Sequence, residues 1–139
     1  MKFIHNMVRV YDLEKALHFW CELMNFEEFK RSDYEENRFS LIFLKEKNSE
    51  LVLELTYNWD NEQEYKVGTN FGHMAFLVED IYKECEKFQK AGVEILRPPR
   101  DGYMAFVKSP NNISIELLQK GEKLEPKEPW ISMENYGIW

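Results

Sequence analysis

Cysteine is scarce in this chain: Cys21 and Cys85 are the only two, both within helical patterns and without C-x-x-C spacing. Disulfide staples are therefore excluded as the basis of the fold, and two buried, reduced thiols are expected. Long apolar runs are missing too. The longest spans a few residues, against the ~20 that a membrane-crossing helix requires. Basic charge is in deficit, with 18 Lys and Arg against 25 Asp and Glu and a formal net charge of −7. A field of that sign repels phosphate backbones and anionic lipid, which sets aside nucleic acid and membrane surfaces as partners. The opening Met1-Lys2-Phe3-Ile4-His5 enters a strand pattern at once, without the layout of a secretion signal, so a cytoplasmic location is expected.

What is present suffices for a core. Of the 139 residues, 44% are hydrophobic and 15% aromatic, which excludes disorder and fits one domain or two half-size modules sharing a core.

The chain aligns with itself. His5-Asn6-Met7-Val8-Arg9-Val10-Tyr11-Asp12-Leu13 matches His73-Met74-Ala75-Phe76-Leu77-Val78-Glu79-Asp80-Ile81. Each stretch leads into an amphipathic helix. In the first, Leu13, Ala16, Leu17, Trp20, Leu23 and Met24 recur at helical spacing; in the second, Ile81, Cys85, Phe88 and Ala91 do so before Gly92. Asp12 and Asp80 stand where an N-cap belongs. Three strand-like segments follow each helix, at residues 27–32, 38–45 and 50–58 and then at 93–97, 103–108 and 113–119. The last of each set match as Leu51-Val52-Leu53-Glu54-Leu55 and Ile113-Ser114-Ile115-Glu116-Leu117. The expected fold is α+β, with two tandem βαβββ modules in residues 1–119: module one at about 1–58, a polar linker at 59–68 and module two at about 69–119.

Strand alternation sets the faces. Phe3, His5, Met7 and Arg9 share one face of the first strand, and Val52, Glu54, Thr56 and Asn58 lie opposite the apolar Leu51, Leu53 and Leu55. His73, Ala75 and Leu77 share a face, as do Ser114, Glu116 and Leu118. Two histidines and two glutamates thus fall on the face turned away from the helices, at the same place in each repeat. A lone histidine reads as a satisfied interior residue, and a lone strand glutamate as solvent-facing. Repeat-matched together, His5, Glu54, His73 and Glu116 point to a divalent transition metal with positions left open for water or substrate. His18, the third histidine, lies on the polar side of its helix and reads as surface.

Read in order, His5-x-x-x-Arg9-Val10-x-Asp12-Leu13, the run Glu54-Leu55-Thr56-Tyr57-Asn58-Trp59, Gly72-His73-Met74-Ala75-Phe76-x-Val78 and Ala105-Phe106-Val107-x-x-Pro110 leading to Ile115-Glu116-Leu117 resemble the glyoxalase I (lactoylglutathione lyase) family of the vicinal oxygen chelate superfamily. The resemblance implies a cupped mixed sheet with helices on its outer face, and a homodimer whose sites are shared between chains. It implies His5, Glu54, His73 and Glu116 as metal ligands, Glu116 as the main general base and Glu54 as its counterpart. Arg9 and Asn58 match positions that hold glutathione; Arg100 falls in the loop that offers the tripeptide a basic residue. The implied reaction isomerises the hemithioacetal of methylglyoxal and glutathione to a 2-hydroxyacyl thioester on one divalent transition metal per site. Nickel or cobalt is favoured by the absence of long insertions, with zinc or manganese as alternatives. Another enzyme of the superfamily (an acyl-CoA epimerase or a thiol transferase) and a metal-free small-molecule-binding module are the competing readings.

The chain departs from the family pattern in the turn before its last strand, in the short loop Arg97-Pro98-Pro99-Arg100-Asp101-Gly102 and in its tail. Pro110-Asn111-Asn112-Ile113 replaces the usual Pro-Asp-Gly-aromatic turn, and Asn tolerates the left-handed conformation that Gly supplies. The tail, residues 120–139, carries Trp130, Ile138 and Trp139, too apolar for a free end, and is expected to pack on the body or on the dimer seam.

Overall fold

The computed structural model of the chain describes residues 1–47 and 49–139. It divides into two compact units, Met1–Lys66 and Val67–Trp139. The first contains β1 (Asn6–Val10), α1 (Leu13–Leu17), β2 (Phe26–Tyr34), β3 (Phe39–Glu46) and β4 (Val52–Asn58). The second contains β5 (His73–Val78), α2 (Ile81–Lys90), β6 (Ile95–Arg97), β7 (Met104–Lys108) and β8 (Ser114–Gln119). Each unit holds a four-stranded sheet, ordered β1-β4-β3-β2 in one and β5-β8-β7-β6 in the other. The first strand runs parallel to the last, and the other pairings are antiparallel. The fold is α+β, with the strand–helix–three-strand order twice over.

A parallel pair needs a crossover, and the helix supplies it. Asp12 starts α1 by accepting from the Lys15 amide at 3.0 Å. Asp80 starts α2 by accepting from the Tyr82 and Lys83 amides, both at 3.1 Å. The amide of Lys15 holds the Asp12 carboxyl below its usual pKa. At Asp80 burial pushes the pKa up, but the Lys83 amide and ammonium and the Tyr82 amide outweigh it and leave the carboxyl lowered.

Alternation along the strands builds each core. Leu53 and Leu55 on β4 and Ile42 and Leu44 on β3 are buried with Val10, Ala16, Phe19 and Trp20. In the second unit Ile115 and Leu117 on β8 and Ala105 and Val107 on β7 are buried, as are Ile81, Cys85 and Phe88 of α2. Each large side chain so buried contributes about 1.5–3 kcal/mol.

The first helix departs from its expected form. Regular spacing predicts one helix burying Leu13, Ala16, Leu17, Trp20, Leu23 and Met24. Instead α1 ends at Leu17 and a π-helical stretch, His18–Leu23, follows, with the Met24 amide donating to the Phe19 carbonyl at 2.9 Å. The wider turn rotates Phe19 into the core, edge-on to Trp20 at 5.2 Å, while Leu13, Leu17, Leu23 and Met24 stay half-buried. A 3.6-residue period cannot anticipate a turn with an extra residue.

The tail winds over the second unit without helix or strand. Its Leu124 amide donates to the Gly102 carbonyl at 3.0 Å, the Tyr82 hydroxyl donates to the Glu125 carbonyl at 2.9 Å, and Trp130 is fully buried. Gly102 sits at φ +67, and a Cβ there would lie 1.9 Å from the Leu124 carbonyl oxygen.

Two expectations follow. Gly102→Ala should lower unfolding stability by about 2 kcal/mol or more, since left-handed strain adds to a backbone clash, as read by urea titration. Asp80→Ala should cost about 1 kcal/mol at neutral pH. Because the folded pKa values of Asp12 and Asp80 are depressed, their stabilisation is fully present above the ordinary carboxylate range and is lost as pH falls below it. The Asp80→Ala deficit should therefore shrink in melts below about pH 4.

Candidate functional site

Parallel pairing places a histidine beside a glutamate in each unit. His5 stands just before β1, whose Met7 pairs with Glu54 on β4. The His5 Nε2 lies 3.1 Å from the Glu54 Oε2, and the Glu54 side chain is only 12% exposed. The Thr56 hydroxyl donates to the second carboxylate oxygen at 3.2 Å. In the other unit His73 opens β5, Ala75 pairs with Glu116 on β8, and His73 Nε2 lies 3.1 Å from Glu116 Oε2. That carboxylate is 15% exposed. The flanking Leu53, Leu55, Ile115 and Leu117 point into the cores, which leaves the glutamates no direction but the opposite face.

Two phenylalanines complete the repeat, and comparison of polar anchors alone overlooks them. Phe43 on β3 pairs with Glu54, and Phe106 on β7 pairs with Glu116. Phe43 meets the His5 ring edge-on at 6.0 Å, and Phe106 meets the His73 ring edge-on at 5.3 Å. Each unit thus carries a His–Phe–Glu set in which an apolar ring flanks the imidazole. The signal was available in sequence, since both phenylalanines oppose a matched glutamate.

Of the other expected residues, Arg9 is exposed on the same side of β1 as Met7, while Val8 and Val10 are buried. Asn58, at the end of β4, donates from its Nδ2 to the Tyr65 hydroxyl at 2.8 Å, a partner that sequence reading missed. Trp59 fixes this strand end by donating from Nε1 to the Ser40 hydroxyl at 2.8 Å. His18 bonds Glu22 at the surface, at 2.9 Å. Neither cysteine offers a nucleophile: Cys21 is half-buried with its pKa raised by desolvation, and burial pushes the Cys85 thiol up to about 12. Asn112 takes φ 62 in the turn before β8, the conformation expected where Asn stands for Gly.

Among the described residues no three His, Cys, Asp or Glu side chains gather as a metal cluster. The donors come as one imidazole nitrogen and one carboxylate oxygen per unit. That chemistry suits a borderline divalent transition metal.

The sequence matches the Glyoxalase/Bleomycin resistance protein/Dioxygenase superfamily over residues 2–117. The chain belongs to this superfamily. It is 39% identical to the lactoylglutathione lyase of Neisseria meningitidis, over 86% of this chain and 91% of that protein. It is 37% identical to the probable lactoylglutathione lyase of Synechocystis, over 88% of this chain and 98% of that protein. Among solved structures it resembles the trypanothione-dependent glyoxalase I of Leishmania major, with a TM-score of 0.77 and 35% identity over 86% of each chain.

The glyoxalase superfamily match stops at Leu117, and the segment beyond it changes the reading of Arg100. The Arg100 guanidinium donates to the Met133 carbonyl at 2.8 Å and to the Asn135 side-chain oxygen at 2.7 Å. Two of its five N–H donors are thus engaged by the tail. Arg100→Ala should loosen the tail: chymotryptic cleavage after Tyr136 should speed up at least about tenfold in a protein that still melts cooperatively. An unchanged cleavage rate would show that the other tail contacts suffice.

Proposed function

We propose that this chain isomerises the hemithioacetal formed by methylglyoxal and glutathione to S-lactoylglutathione. The observation that carries the reading is the repeated His–Glu pair, at 3.1 Å in both units, in a chain similar along most of its length to lactoylglutathione lyases. The chain is an enzyme of the lactoylglutathione lyase type.

His5, Glu54, His73 and Glu116 would hold one divalent ion, nickel or cobalt in preference to zinc or manganese given the short loops. When bound, the metal supplies Lewis acidity to the substrate oxygens and so acidifies the C1 proton. Glu116 takes that proton and delivers one to C2; Glu54, in the matched position, serves the other side of the substrate. The low exposure of both carboxylates keeps water from competing for the proton. Phe43 and Phe106 hold the two imidazoles in orientation. Arg9 meets a carboxylate of the tripeptide, and Asn58, oriented by Tyr65, meets an amide. No nicotinamide or other redox group is needed, because the reaction moves a proton between adjacent carbons.

Each unit offers two donors, so a complete set needs two His–Glu pairs facing one another. We infer a homodimer in which the first unit of one copy faces the second unit of its partner, giving two equivalent sites. Exposed apolar residues near the edge strands β1 and β5 (Phe3, Ile4, Met7 and Leu77) support a partner surface. No helix among the described residues is long and apolar enough to cross a membrane, and the cytoplasm is the proposed compartment.

Glu116→Gln should lower kcat at least about a hundredfold, with the fold and some of the metal binding retained. Full activity in a folded variant would remove Glu116 as the base. Arg9→Ala and Asn58→Ala should raise KM more than they lower kcat. Subunit mixing tests the shared site: inactive His5→Ala and Glu116→Ala proteins, unfolded together and reassociated, should regain activity through mixed dimers with one intact site. Verified mixed dimers that stay inactive would show that each chain builds its own site.

A further inference from the structure

The two His–Phe–Glu sets differ in what covers the phenylalanine. Over Phe43 lies a cation, Lys30 Nζ at 5.3 Å from the ring centre, with Phe29 tilted beside it at 6.3 Å. Over Phe106 lies the last residue of the chain. Trp139 stacks on Phe106 with centres 5.8 Å apart and planes 28° apart, and Phe106 in turn stands edge-on to His73. Phe106 is only 5% exposed, whereas Trp139 is 41% exposed. The indole therefore covers the Phe106 ring while Trp139 itself stays exposed.

Chain without helix or strand is ordinarily mobile. Here the segment before Trp139 is tethered. Arg100 holds Met133 and Asn135, the Tyr136 amide donates to the Leu96 carbonyl at 2.8 Å, and Gly137 turns the chain at φ +69. Trp130, further back, is fully buried. These contacts bring Trp139 to the ring that flanks His73 and leave a half-exposed indole there.

We infer that Trp139 is a specificity-determining residue, the aromatic wall that receives the substituent on the aldehyde-derived carbons of the substrate. The inference rests on the isomerase reading above. The substrate has a charged tripeptide end and an end whose size varies with the aldehyde. Lys30 and Arg9 give the first unit cationic groups suited to the charged end. The second unit offers the exposed part of the Trp139 indole, backed by Phe106, which suits an apolar or aromatic substituent. Arg100 is then a positioning residue, acting through the tail it holds.

The test compares the glutathione hemithioacetals of methylglyoxal and phenylglyoxal in the metal-loaded full chain, as wild type, Trp139→Ala, Trp139→Phe and Arg100→Ala. The ratio of kcat/KM for the phenyl substrate to that for the methyl substrate should fall about fivefold or more in Trp139→Ala, and stay within about twofold of wild type in Trp139→Phe. Arg100→Ala should lower the ratio in the same direction. Calorimetric Kd values for the two products, S-mandeloylglutathione and S-lactoylglutathione, give a readout free of turnover; Trp139→Ala should weaken the first about fivefold more than the second. An unchanged ratio in folded, active Trp139→Ala protein, or equal loss for both substrates, overturns the inference and leaves the isomerase reading standing. If wild-type protein converts neither aldehyde, the isomerase reading fails and this inference falls with it.

Discussion

Everything in this molecule follows from one pairing, the parallel contact between the first and last strands of each unit. The pairing puts Met7 of β1 against Glu54 of β4 and Ala75 of β5 against Glu116 of β8, so the residue two places earlier, position 5 or 73, lies diagonal to position 54 or 116. A histidine at the first position and a glutamate at the second must then meet. The core enforces the direction, because a one-residue slip would bury the carboxylate and expose the leucines on either side of it. A largely buried carboxylate without a partner costs several kcal/mol, so the imidazole that satisfies it also keeps it where a cation would use it. The crossover helix that makes a parallel pair possible starts at an aspartate in both units. The caps, the cores and the site are parts of one arrangement.

Duplication repeats the His–Phe–Glu set, and the surroundings of the two sets diverge. Both units present histidine, phenylalanine and glutamate in the same relation. Beyond that shell they part: a lysine over the aromatic ring in one, a tryptophan from the chain end in the other. A symmetric substrate would need no such difference. The proposed substrate, a thiol adduct charged at one end and variable at the other, is itself asymmetric. The tail lies outside the part of the chain that matches the superfamily, and it is held by Arg100, by the Leu96 carbonyl of β6 and by Phe106 of β7.

Much of this was legible in the sequence. Strand order, the two capping aspartates and the four ligand-type residues follow from alternation and from self-alignment, because those features are local and period-bound. The first helix was harder to read. Its π-helical stretch changes the phase, so Phe19 and not Leu23 is buried beside Trp20. Phe43 and Phe106 were overlooked because an apolar residue in a strand reads as core, and only its register opposite a glutamate shows that it flanks an imidazole. The tail contact of Arg100 could not be read: its partners lie more than thirty residues further along, in a segment with no period to announce where it packs. Long-range contacts of irregular chain leave no local signature.

The central claim is that the two His–Glu pairs act together as a metal-dependent isomerase site. Its most direct test is thioester formation from methylglyoxal and glutathione by protein stripped with a chelator, then reloaded with nickel or cobalt, with circular dichroism to verify the fold at each stage. Stripped protein should be folded and inactive, and activity should return in proportion to bound metal, saturating at one ion per four-ligand site. Stripped, folded protein that still forms the thioester at the original rate would contradict the account, as would reloaded protein that binds the ion yet forms none.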